Sequence, residues 1–115
     1  MKRGEVYVAD LTPRSGSEQQ GRRPVIVLSH NAFNQASNWR SIIVVPISTS
    51  RSQAGRGLTA IALPQGTGGL KQKSVALCHQ VTTLDRTKLS RHIGELTLNQ
   101  LQQVEAGIKA ALDLS

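Results

Sequence analysis

The sequence predicts a mainly β protein: a small antiparallel barrel with one α-helix packed on it at the C-terminal end. Short runs rich in Val and Ile are separated by polar loops that contain Gly, Pro and Ser. One amphipathic helical pattern follows at the end of the chain. The 115 residues contain no internal repeat, linker or low-complexity tract, so we expect residues 1–115 to form a single domain.

The first half of the chain carries the clearest strand patterns. Residues 5–11 alternate between apolar and polar side chains and predict a first strand. Residues 12–23 are polar and predict a loop longer than a hairpin needs, and long ordered loops are often functional. The continuous apolar runs 25–28 and 42–45 predict buried strands, and residues 31–39 between them can hold one helical turn.

The second half predicts shorter strands and one helix. We expect strands over 58–63, 74–81 and 91–94, polar loops over 48–57 and 64–69, and a turn over 85–88. Thr97 and Gln100 form a capping box at the start of the helix. Apolar residues then recur at helical spacing: Leu98, Leu101, Val104, Ile108, Ala111 and Leu112.

The charge is strongly positive and unevenly distributed. Fourteen Lys and Arg face seven Asp and Glu, which gives a net charge of +7. No carboxylate lies between Glu18 and Asp85, whereas this stretch holds Arg22, Arg23, Arg40, Arg51, Arg56, Lys71 and Lys73. The pattern favours a polyanion or an acidic protein as partner, with a merely solvated basic surface as the alternative. An anionic membrane surface is less favoured, because it calls for a basic amphipathic helix.

Several other chemistries find no support in the sequence. The single cysteine, Cys78, allows no internal disulfide, and neither a secretory signal nor a membrane-spanning apolar run is present, so we expect a cytoplasmic protein. We also expect no metal and no organic cofactor, because metal-ligand spacing and a nucleotide-binding Gly motif are missing. Three aromatic residues are few for binding RNA by base stacking alone. What remains is polar chemistry on an anion.

The segment Gly16–Pro24 is the most informative part of the chain. Arg23 stands at the mouth of a strand, and the following Pro24 restricts its backbone. A carboxylate and carboxamides precede it in Glu18, Gln19 and Gln20. A guanidinium offers five donors in a rigid fork that suits a phosphate, and a phosphorane transition state carries more oxyanion charge than the ground state. Arg23 is therefore a candidate both for binding and for catalysis.

Five motifs in register resemble the MazF/PemK family of toxin endoribonucleases: Arg3-Gly4-Glu5-Val6, Ser17-Glu18-Gln19 with Arg23-Pro24, Val45-Pro46-Ile47-Ser48, Cys78-x-Gln80 and Thr83-Leu84-Asp85. The similarity runs from Arg3 to the C-terminal helix. It implies an SH3-like barrel and a homodimer that holds RNA along the subunit interface. It also implies sequence-specific, metal-independent cleavage of single-stranded RNA that leaves 2′,3′-cyclic phosphate and 5′-hydroxyl ends. An antitoxin with an acidic, disordered tail is expected to occupy the same groove.

The resemblance also implies roles for individual residues. Arg23 takes the place of the family's catalytic arginine, and Ser48 takes the place of its hydroxyl residue. His79 is the third catalytic candidate. The residues expected to bind or cover the substrate are Ser17, Glu18, Gln19, Arg22, Thr49 and Gln80.

Two departures from the family pattern concern the acid–base chemistry. The family commonly has threonine where this chain has Ser48, and several relatives have an acidic residue where it has His79. Some members also place a His at the position of Ser17 and an Arg at that of Leu77, so their acid–base assignment does not transfer. Each assignment also has a structural alternative: Arg23 as a surface cation, Ser48 as a strand-end cap, and His79 as an ordinary strand residue.

Two other function classes remain open on the sequence. One is a non-catalytic toxin that inhibits a protein target, like the gyrase poisons that share this architecture, and it needs neither Arg23 nor Ser48. The other is a small RNA-binding module whose basic loops grip the backbone without cutting it.

Overall fold

The computed structural model describes residues 1–12, 16, 18–49 and 57–115. Within these ranges the chain forms seven strands and two helices, in the order β1 (Glu5–Asp10), β2 (Arg22–Val27), α1 (Asn31–Asn34), β3 (Ser41–Ser48), β4 (Ala60–Leu63), β5 (Ser74–Leu77), β6 (Thr82–Asp85), β7 (Leu89–Glu95) and α2 (Leu98–Leu112). Single 3₁₀ turns cover Gly57–Thr59, Thr67–Gly69, Cys78–Gln80 and Arg86–Lys88.

The strands form one antiparallel sheet with β3 as its hub. The order is β4-β5-β3-β2-β1-β7, and β6 pairs with β3 beside this path. The first part of β3 pairs with β6, as in Ile42 with Leu84, and its end pairs with β5, as in Ile47 with Ala76. The sheet is barrel-like, although its strand order is open rather than closed. The predicted mainly β fold with a C-terminal helix is confirmed.

Both faces of the sheet are buried. One apolar cluster lies between the sheet and α2 and includes Val6, Ile26, Val45, Ile47 and Val104. A second cluster lies on the opposite face and includes Ala9, Leu11, Val25, Val27, Ile42, Val44 and Leu84. Because side chains alternate along a strand, β2 and β3 supply both clusters. This double burial explains why both strands have continuous apolar sequences.

Helix α2 is capped as its sequence predicts, and a buried thiol contacts it from the sheet side. The Thr97 hydroxyl accepts a hydrogen bond from the Gln100 backbone N–H at 3.2 Å, and the Gln100 side chain accepts one from the Thr97 N–H at 2.9 Å. Under the helix, the Cys78 thiol donates to the Val104 carbonyl at 3.6 Å, and burial raises the pKa of this thiol to about 11. No helix in the described part of the chain is long and apolar enough to cross a membrane.

The second half of the chain differs most from the sequence prediction. The strand predicted over 74–81 ends at Leu77, because β3 exchanges β6 for β5 as its partner and the chain needs the turn Cys78–Gln80 to pass between them. The edge strand predicted over 91–94 spans Leu89–Glu95, since it pairs along β1.

Other element boundaries shift by a few residues. The first strand ends at Asp10 rather than at 11, and the loop predicted over 12–23 ends where β2 begins at Arg22. The strand predicted from 58 begins at Ala60, after a 3₁₀ turn. Most of the loop predicted over 48–57, including Arg51 and Arg56, lies outside the described residues.

Candidate active site

Arg23 lies at the start of β2 and is exposed. Its Nε donates a hydrogen bond to the Gln20 carbonyl at 3.0 Å, which fixes the orientation of the guanidinium. Within the described ranges, neither Nη nitrogen of Arg23 has a hydrogen-bond or ion-pair partner in the protein. The two outer nitrogens can therefore offer parallel N–H donors to an anion such as a phosphate.

Arg23 and Ser48 lie at the same end of neighbouring strands and on the same face of the sheet. In the β2–β3 pairing, Val25 stands opposite Pro46. Arg23 lies two residues before Val25, and Ser48 lies two residues after Pro46. Because side chains alternate along a strand, Arg23 and Ser48 belong to the same face of the sheet as this pair. Ser48 is 5% exposed and pairs with Val75, so its hydroxyl lies at the base of this strand end rather than on its rim.

A hydrogen bond brings His79 and Gln80 to the loop that precedes Arg23. The Gln19 N–H donates to the Gln80 side-chain oxygen at 3.1 Å. Gln80 ends the turn between β5 and β6, and both strands pair with β3 on the edge opposite β2, so this bond spans β3. Glu18 and His79 are exposed and each adjoins one partner of the bond. The backbone segments that carry Glu18 and His79 are thus joined by this bond.

The remaining predicted site residues do not all join this group. Arg22 alternates with Arg23 along β2 and so belongs to the opposite face of the sheet. Thr49 follows the last residue of β3 and lines a cleft with Pro24 on that same opposite face. Arg22 donates from Nη2 to the Ser90 hydroxyl of β7 at 3.2 Å. Ser17 lies outside the described residues.

A cleft of about 240 Å³, here called the basic cleft, opens on the face to which Thr49 belongs. Its apolar floor consists of Pro24, Leu70 and Ile93, and its other lining residues are Thr49, Gly69, Lys71, Gln72, Ser74 and Arg91. Lys71 and Arg91 are its only charged lining residues in the described part of the chain. Sequence reasoning missed Gln72 and Arg91 and noted Lys71 only as part of the acid-free stretch, because four separate segments build this cleft.

A second cleft, here called the acidic cleft, has a volume of about 380 Å³ and the opposite charge. It is lined by the carboxylates of Asp10, Glu18 and Asp85, with Lys88, Leu11, Thr12, Thr82, Thr83 and Leu84. Hydrogen bonds from Thr87 and Thr12 lower the pKa values of Asp85 and Asp10. Although three carboxylates share this cleft, the described residues include no group of three His, Cys, Asp or Glu side chains that could hold a metal ion.

Comparisons with known proteins identify the family of this chain. A family of PemK-like and MazF-like toxins of type II toxin–antitoxin systems matches the chain over residues 2–112. The chain belongs to this toxin family. The match extends from the first residues before β1 to the end of α2, so both clefts and the Arg23 strand end lie within the family domain.

Individual members of the toxin family resemble the chain over nearly its whole length. Endoribonuclease MazF of Staphylococcus saprophyticus is 32% identical, over 99% of this chain and 92% of the relative. The crystal structure of MazF from Deinococcus radiodurans superposes with a TM-score of 0.80 at 25% identity, covering 99% of this chain and 97% of that one. A MazE–MazF crystal structure from the same organism gives 0.75 at 26% identity, covering 100% and 97% of the two chains.

Proposed function

We propose that this chain is a sequence-specific endoribonuclease that cleaves single-stranded RNA without a metal ion and acts as the toxin of a toxin–antitoxin module. One observation carries the proposal. The Arg23 guanidinium is oriented by the Gln20 carbonyl at the strand end that also holds Ser48. The relative named Endoribonuclease MazF supports the RNA-cleaving activity.

The proposed reaction is an internal transesterification of the RNA backbone. The ribose 2′-oxygen attacks the adjacent phosphorus, a 2′-O–P bond forms and the P–O5′ bond breaks. The 2′-hydroxyl proton passes to a general base, and the departing 5′-oxygen receives a proton from a general acid. The products are therefore a 2′,3′-cyclic phosphate and a 5′-hydroxyl. The reaction needs neither an oxidant nor a second substrate.

Arg23 supplies the fixed cation of this mechanism. Negative charge on the non-bridging phosphate oxygens grows in the transition state, and donors aimed at that charge lower the barrier. The Nη nitrogens of Arg23 meet these oxygens, while Nε stays bonded to Gln20. Ser48 contributes its hydroxyl from the base of the same strand end.

His79 and Glu18 are the proposed proton-transfer groups. Each precedes a partner of the hydrogen bond between Gln19 and Gln80, which joins the loop to the turn, and we expect both side chains to face the substrate. Histidine is the side chain best suited to proton transfer near neutral pH, which favours His79. Glu18 takes this role if His79 serves only in binding.

The proposed protein partners follow from the charge and from the family. We expect a homodimer with RNA along the subunit interface, and an antitoxin whose acidic, disordered tail folds on the basic surface and competes with RNA. The MazE–MazF structure of Deinococcus radiodurans supports an antitoxin partner. Inhibition of cleavage by the antitoxin should weaken as salt is raised, and salt-independent binding that leaves cleavage unchanged would contradict the competition.

Incubation of the purified protein with a long single-stranded RNA tests the function class. Fragments with discrete ends, formed equally in EDTA, are the expected result. A mobility shift without fragments would instead establish a binding module. An RNA that is neither cut nor shifted would point to a protein target and overturn the proposal.

A further inference from the structure

We infer that the basic cleft is a nucleotide subsite: it binds the base and phosphate of one RNA nucleotide beside the cut and so sets part of the sequence preference. The inference rests on the proposed RNA cleavage. It adds Lys71, Gln72 and Arg91 to the residues that select the substrate.

The basic cleft adjoins the proposed cleavage site on two strands. Pro24 of its floor follows Arg23, and Thr49 of its lining follows Ser48. Pro24 and Thr49 belong to the face opposite Arg23 and Ser48, so an RNA strand reaches the cleft by crossing the ends of β2 and β3.

The strand register fixes how far Arg91 lies from this strand end. Val8 of β1 pairs with Pro24 on one side and with Arg91 on the other. Two strand spacings therefore separate Pro24 from Arg91, a distance of about 10 Å. The Arg91 backbone thus lies within reach of a nucleotide next to the one held by Arg23.

The lining of the basic cleft suits a nucleotide in each of its parts. The apolar floor, made by Leu70, Pro24 and Ile93, offers a surface for the face of a base. The Gln72 amide and the exposed Thr49 hydroxyl provide donors and acceptors for a base edge. Lys71 and Arg91 provide charge for a phosphate.

The size and charge of the basic cleft limit which ligands it can bind. The volume of about 240 Å³ is below the roughly 300 Å³ at which pockets for drug-sized ligands begin, so the cleft has room for no more than one nucleotide. The lining carries two cations and no carboxylate within the described residues. The acidic cleft lies on the face of Arg23 and Ser48, since its Leu11 and Leu84 belong to the apolar cluster of that face, and its carboxylates disfavour a phosphate there.

One wall of the basic cleft is held rigidly by contacts between backbones. The turn Thr67–Gly69 packs directly on β7: a Cβ on Gly69 would lie 2.0 Å from the Ile93 carbonyl oxygen, and one on Gly94 would lie 2.5 Å from the Gly68 carbonyl carbon. The Leu70 carbonyl accepts from the Gly66 N–H at 2.8 Å, which closes the turn next to Lys71. A preformed wall costs little ordering when a ligand binds and therefore favours selectivity.

The same cations could instead meet the carboxylates of an antitoxin tail. The apolar floor and the amide beside it match a base better than an acidic side chain, which needs only charge and donors. We therefore assign the basic cleft to RNA and treat an exclusive effect on antitoxin binding as a contrary result.

The test measures cleavage of an RNA library randomised around the cut, with Lys71→Ala, Gln72→Ala and Arg91→Ala. Lys109→Ala is the charge-matched control, because Lys109 is exposed on α2 and lines neither cleft. Circular dichroism and size-exclusion chromatography verify fold and oligomeric state. Gln72→Ala should change the preference at one flanking position by about three- to tenfold, the scale of one hydrogen bond.

The two cationic variants should act mainly on binding. Lys71→Ala and Arg91→Ala should each raise KM by about three- to tenfold with kcat nearly unchanged, and each should reduce the salt dependence of RNA binding. Lys109→Ala should match the wild type in both measurements.

Three results would overturn the inference. Library profiles and KM values that superimpose on the wild type for all three cleft variants would do so while the cleavage function stands. A loss of antitoxin neutralisation with unaltered RNA selection would assign the cleft to the antitoxin. A wild-type protein that cuts no RNA in the library would remove the proposed function and this subsite together.

Discussion

The basic cleft and the acidic cleft are small depressions of the same sheet, and they differ mainly in charge. The basic cleft has Lys71 and Arg91 and no carboxylate among its described lining residues, whereas the acidic cleft has three carboxylates and Lys88. Hydrogen bonds keep the pKa values of Asp10 and Asp85 low, so both stay ionised at neutral pH. Although the net charge of the chain is +7, its surface therefore includes one positive cleft and one negative cleft.

Under the proposed function, this separation of charge favours one direction for the RNA backbone at the Arg23 strand end. The face that carries Arg23 also carries the acidic cleft, so phosphates that continue along it meet repulsion. The opposite face presents the basic cleft one residue away. Glu18 lines the acidic cleft beside the Gln19–Gln80 bond, where a carboxylate can accept a proton.

Arg23→Ala should have the largest effect on activity. Single-turnover cleavage should fall by about a hundredfold or more, the scale of losing one transition-state donor, while RNA binding falls much less. Arg23→Lys should recover little, because an ammonium keeps the charge and loses the fork. Lys109→Ala is the control in the same assay. A rate for Arg23→Ala near that of the control would refute the role of Arg23.

Reversing the charge of the basic cleft makes both clefts negative and so removes the difference between them. The double variant Lys71→Glu with Arg91→Glu should weaken RNA binding by about tenfold or more at low salt and flatten its salt dependence. Fluorescence anisotropy with a labelled RNA at several salt concentrations measures both quantities. Unchanged affinity in this variant would mean that RNA takes another path.

His79→Gln should change the pH–rate profile rather than the fold. Removal of a general acid should flatten the limb at high pH, and removal of a general base should flatten the limb at low pH. The measurement is single-turnover cleavage across the neutral range, with Glu18→Gln in parallel. An unaltered profile for His79→Gln together with a flattened one for Glu18→Gln would transfer the proton-transfer role to Glu18.

Asp85→Asn should have the smallest effect of these variants, and it should change the stability of the fold but not the rate of cleavage. The Thr87 hydrogen bonds and Arg40 lower the pKa of Asp85, so the folded state favours the carboxylate. Its stabilisation is present above the ordinary pKa of about 4 and is lost as pH falls through the lower folded value. Thermal unfolding should show a small decrease in Tm at neutral pH that vanishes in acid, with cleavage unchanged. A loss of cleavage would contradict this and would show that Asp85 takes part in the reaction.

The sequence could predict the features that depend on local patterns. The capping box at Thr97 located α2, and the apolar runs around Val25 and Val44 located the strands of the sheet centre. The resemblance to the toxin family singled out Arg23 and Ser48, and the structure brings them to one strand end. Their catalytic roles remain predictions.

Features that depend on distant pairings could not be predicted. Nothing in the residues 74–81 signals the break at Cys78, because it results from the change of partner along β3. The basic cleft could not be predicted either, because its residues Thr49, Lys71 and Arg91 come from separate segments. These segments meet only when β7 pairs with β1. Charge counting found the acid-free stretch but not the cleft it helps to form.

Cleavage of an RNA with a single 2′-O-methyl group at the mapped cut site, in the presence of EDTA, tests the central claim most directly. The unmodified RNA should be cut at the same rate with and without EDTA. The ends it leaves should be a 2′,3′-cyclic phosphate and a 5′-hydroxyl, identified by mass spectrometry. The methylated RNA should remain intact at that site, because its 2′-oxygen has no proton to lose and cannot act as the nucleophile. Cleavage of the methylated site, a 3′-hydroxyl with a 5′-phosphate, or a loss of activity in EDTA would contradict an arginine-based transesterification.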